Sequence, residues 1–504
     1  MGARCGVATW VLGKSEAGRT SRAKRATFLS MAVLALVTLA TRAFWFGDPV
    51  ADFDEQIYSL IGWRMTHGDL PFVEVWDRKP FGLFAIFAAA HCLLGPEPIA
   101  YQSVACLFAM GGAVLVYALA RELVDRASAT VAGSLYLMLI AAYGSYSGQS
   151  EIFHAPMMLA MLWLVRDRNR PDAARRAALA MLVGGVALQI KYTVLPQCLF
   201  FGAYALYGEW RAGASPFPLA QRAGVYALAG VTPTALVALL YFATGHFDQF
   251  WFANFVSFFE RTPAPGGRLR PDLFLALAPL ALLVGLGLYS AVRLNPPRDW
   301  RTYGLFAGWK LAALGTVLLP ATIYLYYYGA LVPAAVLMAL PLIDVRAPAK
   351  FVPAAALLFG AGYILDMPDR YAHSLNERRT ETRLSAAIAP YVGAKRDCLY
   401  VFDGPAVLYR TTGTCLPTRY LYPDHLNNGL EIHSLEVDQP TEIARILANR
   451  PGVIVTASQP MTVQRQVNLD LIHQATLADY RPLTSASLHN REVTAWVRKD
   501  LEPR

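Results

Sequence analysis

The sequence predicts a polytopic α-helical membrane protein of about eleven transmembrane helices, followed by a small soluble α/β domain. Three observations predict it. Of 504 residues, 55% are hydrophobic and 16% charged, with a mean hydropathy of +0.34, a balance typical of chains that face lipid. Apolar runs of span length recur from residue 27 to 366, separated by short basic clusters. Beyond Asp366 the apolar runs shrink to strand length, and acids, Asn, Thr and Pro become common.

The elements follow in order. Residues 1–26 carry Arg4, Lys14, Arg19, Arg22, Lys24 and Arg25 against one acid, Glu16, which predicts a cytoplasmic N-terminus. The next apolar run ends in TRAFWF, with no small-residue cleavage site, and reads as an uncleaved signal anchor. Spans are expected near 27–46, 99–120, 127–146, 153–165, 177–192, 194–209, 223–243, 272–292, 302–319, 329–345 and 351–366. Phe81–Leu94 is apolar but short and closed by GPEP, so it is expected to lie in the outer interface rather than to span. With that choice RNRPDAARR and RLNPPRDWR fall in the cytoplasm, as the positive-inside rule requires. The loop 47–98, the GQSEIF turn and the C-terminal domain then fall outside.

The net charge of +9 is dispersed between apolar runs, so it reads as a topology signal beside membrane lipids and not as a nucleic-acid surface. Within residues 367–504, CLYVFD (398–403) and GVIVTA (452–457) read as buried strands, and TEIARILAN (441–449) as the helix before the second. Cys398 and Cys415 both lie in this outer domain. A disulfide between them and two buried thiols are both consistent with the sequence.

Chemistry-bearing residues gather at the outer ends of the spans. Asp52, Asp54 and Glu55 open an amphipathic pattern through Ile57, Leu60, Ile61 and Arg64. A helix cap needs one acid at that place, whereas three within four residues suggest a general base or a cation ligand. Arg78 and Lys79 precede Pro80 and aim cations at the interface where a lipid phosphate lies, though snorkelling alone would also place them there. Glu151 and His154 stand in GQSEIFHAP, and Lys191, in QIKYTVLP, follows fourteen uncharged residues. Such isolated charges need water, a partner or an anion. An aromatic stretch from 246 to 262 ends near Arg261, and Tyr324, Tyr326, Tyr327 and Tyr328 crowd one outer turn. Interfacial belts explain most of these rings, but phenols also donate well to phosphate and sugar oxygens.

The ordered set of Asp54-Glu55 with Tyr58, Lys79-Pro80, Glu151 in SEIF, Lys191-Tyr192-Thr193 and a Tyr-rich turn before Pro333 resembles the GT-C glycosyltransferases of family 39. These are of the bacterial protein-O-mannosyltransferase and aminoarabinose-transferase type. The resemblance covers residues 27–366 and implies a GT-C-like catalytic domain in the bacterial inner membrane. It implies transfer of a sugar from a polyprenyl-phosphate donor to a lipid, glycan or protein acceptor outside, with inversion. Asp54 would be the base or acceptor-positioning carboxylate with Glu55 beside it. Glu151 would lie near the reaction centre, where it could assist a metal. Arg78, Lys79, Lys191, Arg261 and Tyr327 or Tyr328 would hold the phosphate. Where the aminoarabinose-transferase pattern has Glu before Lys-Pro, a candidate metal ligand, this chain has Arg78. A divalent cation is thereby put in doubt.

Two other classes compete. A flippase or transporter of lipid-linked sugars should line a path across the bilayer with charge, but the clear mid-span charge is Lys310 alone. A receptor or scaffold would leave the loop acids without a role. The C-terminal domain shows no nucleophile triad or phosphate loop and is expected to cover the site or recruit acceptor.

Overall fold

A computed structural model describes residues 5–264, 271–345 and 367–503, with side chains from residue 24 onwards. The expected span at 351–366 lies outside the described residues. The chain is mainly helical, and its first half alternates long apolar helices with the shorter outer elements that build the site.

Among the described residues, four helices are long and apolar enough to cross a membrane: Lys24–Trp45, Pro98–Ala120, Pro216–Ala243 and Pro271–Leu294. We number the helices α1 (Cys5–Arg42), α2 (Phe53–Met65), α3 (Phe81–Leu94), α4 (Pro98–Ala120), α5 (Arg126–Ala142), α6 (Ser150–Val165), α7 (Ala173–Leu188), α8 (Leu195–Arg211) and α9 (Pro216–Ala243). Then come α10 (Phe247–Trp251), α11 (Pro271–Tyr289) and α12 (Trp300–Leu318). Every expected run within the described residues is helical, but several are too short or too interrupted to be spans by length and composition. The run 329–345 breaks up because Pro333 and Pro341 cannot donate to a continuing ladder; it becomes a 3-10 helix, Leu325–Leu331, and then α13 (Val332–Met338) and α14 (Leu340–Ile343).

The outer elements pack closely. Asp52 caps α2 by accepting from the N–H groups of Asp54 (2.9 Å) and Glu55 (3.4 Å), which satisfies donors that the first turn would otherwise leave open. Helix α3 has the bounds that its apolar run and Pro80 dictate, and it lies against α2 at Gly62, where a Cβ would come within 2.9 Å of the Phe87 carbonyl carbon. Any larger residue at Gly62 would force α2 and α3 apart.

The C-terminal region opens with α15 (Met367–Ile388) and carries a four-stranded mixed sheet in the order β1-β2-β4-β3. Strands β1 (Leu399–Val401) and β2 (Val453–Ala457) are parallel, while β4 (Arg491–Arg498) runs antiparallel to both β2 and β3 (Tyr480–Leu488). Both sequence-predicted strands are present, and the helix between them is Gln439–Ala448. The β3–β4 hairpin was not expected; its first strand is largely exposed and lacks the apolar run that marks a buried strand. Cys398 and Cys415 form a disulfide. Between the strands, residues 417–437 fold back towards the membrane helices: Trp76 N–H donates to Arg419 O (2.9 Å), Thr262 N–H to Leu430 O (3.0 Å) and Ser257 Oγ to Ser434 O (2.7 Å).

Candidate active site

A cavity of about 360 Å³ lies where α2, the 77–80 turn, the start of α6, the Lys191 turn, the tyrosine-rich 3-10 helix and residues 422–431 converge. Its size is that of a small-ligand site.

Asp54 points into it from the first turn of α2. Its Oδ2 accepts from Tyr58 Oη (3.1 Å), Gln149 Nε2 (3.2 Å) and Tyr326 Oη (3.0 Å), and its Oδ1 from Tyr422 Oη (3.0 Å). The Lys79 ammonium stands 3.7 Å from Oδ2. Burial pushes the carboxyl up, but Lys79 and the donors from Gln149, Tyr422 and Tyr326 outweigh it and hold Asp54 below the usual carboxylate range. Burial works against the Lys79 charge, and Asp54 first among its anionic neighbours raises it again. The two form an ionised pair at the cavity wall.

A second electrostatic group lines the same cavity. Glu431 accepts from both terminal nitrogens of Arg78, one at 2.8 Å, and from Ser434, and it forms an ion pair with Arg261, whose Nε stands 2.8 Å away. Two guanidinium groups share one carboxylate, so one positive charge is left uncompensated. Despite burial, Arg78 and Arg261 keep Glu431 down to about 2. Arg261 also donates to Tyr324 Oη (3.0 Å). Lys191 pairs with Glu151 and lies 3.8 Å from the Tyr327 ring centroid, a cation–π placement.

Of the residues singled out from sequence, Asp54, Arg78, Lys79, Lys191, Arg261 and Tyr327 line this cavity. Three stand elsewhere. Glu55 is fully buried behind α2 and ties it to the next outer loop, accepting from Gly148 N–H (2.6 Å) and Tyr101 Oη (3.3 Å). Adjacent residues of a helix point about 100° apart, and here the Glu55 side chain turns to Gly148 and Tyr101 while Asp54 faces the cavity. Glu151 sits behind Lys191, bonded to it and to Ser150. Tyr328 turns away and donates to Leu273 O (2.8 Å). The structure adds residues that the sequence reading passed over: Gln149, Tyr422, Asp424, His425 and Glu431 all line the cavity. The last four come from a stretch without an apolar period or a charge run, and nothing local marks them.

A metal ion does not fit this donor set. The Asp54 carboxylate is met by four donors and a lysine, Glu151 by Lys191, and Arg78 occupies the place of the candidate ligand. Among the described residues no group of three His, Cys, Asp or Glu side chains is arranged to hold an ion.

Residues 78–237 match the family described as dolichyl-phosphate-mannose-protein mannosyltransferase. No curated protein sequence matches the chain significantly. Among solved structures, ArnT from Cupriavidus metallidurans bound to undecaprenyl phosphate superposes with a TM-score of 0.62 at 15% identity, covering 96% of this chain and 100% of that one. The same protein in the apo state gives 0.62 and 15% over 95% and 100%. The oligosaccharyltransferase AglB from Archaeoglobus fulgidus gives 0.49 at 12%, over 85% of this chain and 69% of that one. The family match over residues 78–237, together with an ArnT-like fold along nearly the whole chain, makes this protein an integral membrane glycosyltransferase.

Proposed function

We propose that the chain moves a sugar from a polyprenyl-phosphate donor to a hydroxyl of a glycolipid, glycan or protein on the outer face of the bacterial inner membrane. In this topology the N-terminus is cytoplasmic, residues 27–366 form the catalytic membrane domain with about eleven spans, and residues 367–504 form a soluble outer domain. The observation that carries the reading is that one cavity holds an ionised carboxylate, Asp54, and a separate cluster with surplus positive charge, Arg78–Glu431–Arg261. ArnT, the solved structure of like fold, binds undecaprenyl phosphate, and a lipid phosphate is the anion that this surplus would meet.

The chemistry follows from the placement. The surplus charge of the arginine cluster, with Lys79, Lys191 and the phenols of Tyr324 and Tyr327, holds the phosphate and stabilises the charge it gains on leaving. The acceptor oxygen attacks the anomeric carbon, the bond from that carbon to the phosphate oxygen breaks, and its electron pair leaves with the polyprenyl phosphate. Asp54 orients the acceptor hydroxyl and takes its proton. A single displacement of this kind inverts the anomeric carbon. A flippase is less well supported, because Lys310 is bonded to Leu331 O and the other charges described above gather at one end of the bundle.

Asp54→Asn tests the reading. Transfer from undecaprenyl-phosphate sugars, followed by mass spectrometry of the products, should fall by about 10²–10⁴-fold while membrane insertion and thermal stability are retained. Wild-type transfer by this variant would refute the proposed role.

A further inference from the structure

The cavity's carboxylates are not alike. Asp52 is used by the N-terminus of α2 and by Gln149 (3.1 Å). Asp54 has four donors and Lys79, as described. Asp77 accepts from Lys79 N–H (2.8 Å) and lies 3.4 Å from His425 Nε2, and Glu431 holds two arginines. Asp424, at the start of the short helix Pro423–Asn427, also lines the cavity. Among the described residues no donor or cation lies within bonding distance of its carboxyl. A half-buried carboxyl at a cavity wall, with no partner of its own there, has its oxygens free to bond a ligand.

Its position says which part of a ligand. Asp424 stands on a segment with Glu431, paired with Arg261, at one end and Tyr422, bonded to Asp54, at the other, and all of these line the cavity. It acts on the phenols of Tyr422 and Tyr324. The first pair belongs to the proposed phosphate grip, and Asp54 to the acceptor end. In a glycosyl phosphate about to react, the group between the phosphate and the acceptor is the sugar ring.

We infer, resting on the function proposed above, that Asp424 is a specificity residue: it hydrogen-bonds the ring hydroxyls of the sugar being transferred, so that the C-terminal segment reads the sugar while the membrane helices hold the phosphate. Burial, and then Glu431 beside it, push the Asp424 carboxyl up to about 7. Near neutrality it exists in both forms and can accept from one hydroxyl or donate to another.

Binding to the purified full-length protein separates this inference from the reading beneath it. The probes are undecaprenyl phosphate without a sugar and the same lipid phosphate carrying glucose, mannose or arabinose. Wild-type protein should bind the bare lipid phosphate and at least one glycosylated form more tightly. Asp424→Asn and Asp424→Leu should leave the bare lipid phosphate within about twofold, while the glycosylated form weakens roughly tenfold or more in Asp424→Leu and less in Asp424→Asn, whose amide still bonds. Equal weakening for both ligands would mean that Asp424 only supports the fold. No weakening for either, or wild-type protein that prefers no glycosylated form, would also overturn the inference. Failure of wild-type protein to bind the bare lipid phosphate would instead overturn the donor reading, and the sugar assignment with it.

Discussion

The two walls of the cavity neutralise charge differently. On the membrane side each cation meets one carboxylate: Lys79 faces Asp54 and Lys191 faces Glu151. On the side of the C-terminal segment one carboxylate, Glu431, serves two guanidinium groups, and another, Asp424, has no bonded partner among the described residues. One-to-one pairs fix geometry and leave little field, whereas an unequal cluster keeps charge in reserve for a ligand. The cluster around Glu431 therefore keeps the charge in reserve for the phosphate, while the Lys79 and Lys191 pairs fix the geometry of the same grip.

Removing Glu431 should have the largest effect on this contrast. Glu431→Gln removes the carboxylate that two buried guanidiniums share, and breaking a buried pair costs about 3–5 kcal/mol. The loss should concentrate where the pair sits. Amide hydrogen exchange across residues 417–437 is expected to quicken by about 10²-fold or more, while α4 and α6 keep their protection. Unchanged exchange in that segment would show that its backbone bonds to Trp76, Thr262 and Ser257 hold it without the arginines.

This wall was also the one that could not be read from the sequence. Arg78 was legible as a cation at the interface, but its partner lies 353 residues away, and no periodicity connects the two. The membrane side was easier because Asp54, Lys79 and Lys191 are charges beside long apolar runs, where the cost of burial singles them out. Helix α3, bounded by Pro80 and Gly95, was legible for the same kind of local reason. The β3–β4 hairpin was not, since its partly exposed face gave no apolar run to notice.

The two acids of the Asp54–Glu55 pair stand in different surroundings. Both sit in the first turn of α2, yet Asp54 is held below the usual range while burial pushes Glu55 up to about 7. The sign of the pH effect follows from that. In the unfolded chain Glu55 ionises near 4.5, and in the folded protein near 7, so the folded state binds the extra proton between those values. Its stabilising contribution is complete below about 4.5 and is lost as pH rises through 7, by roughly 3 kcal/mol in all. Thermal unfolding in detergent should accordingly show a falling midpoint from pH 5 to pH 8. In Glu55→Gln, which keeps the shape and cannot ionise, that slope should flatten; an identical slope in the variant would assign the titration to another group, with Asp424 next to examine.

The smallest expected effect separates two neighbouring tyrosines. Tyr327 lines the cavity under Lys191, while Tyr328, one residue on in a 3-10 helix and so turned by about 120°, donates to Leu273 O at 2.8 Å. Tyr328→Phe removes that single neutral bond and leaves Leu273 O one donor short. The cost should be about 1 kcal/mol of stability, with kcat and KM for sugar transfer unchanged. Tyr327→Phe should keep the ring under Lys191, and with it the cation–π contact, but remove a phenol from the proposed phosphate grip, raising KM for the donor a fewfold. If Tyr328→Phe lowered transfer as much as Tyr327→Phe, the cavity would have to extend past Tyr327 to the carbonyl of Leu273, and the assignment of one tyrosine to the site and its neighbour to the packing behind it would fail.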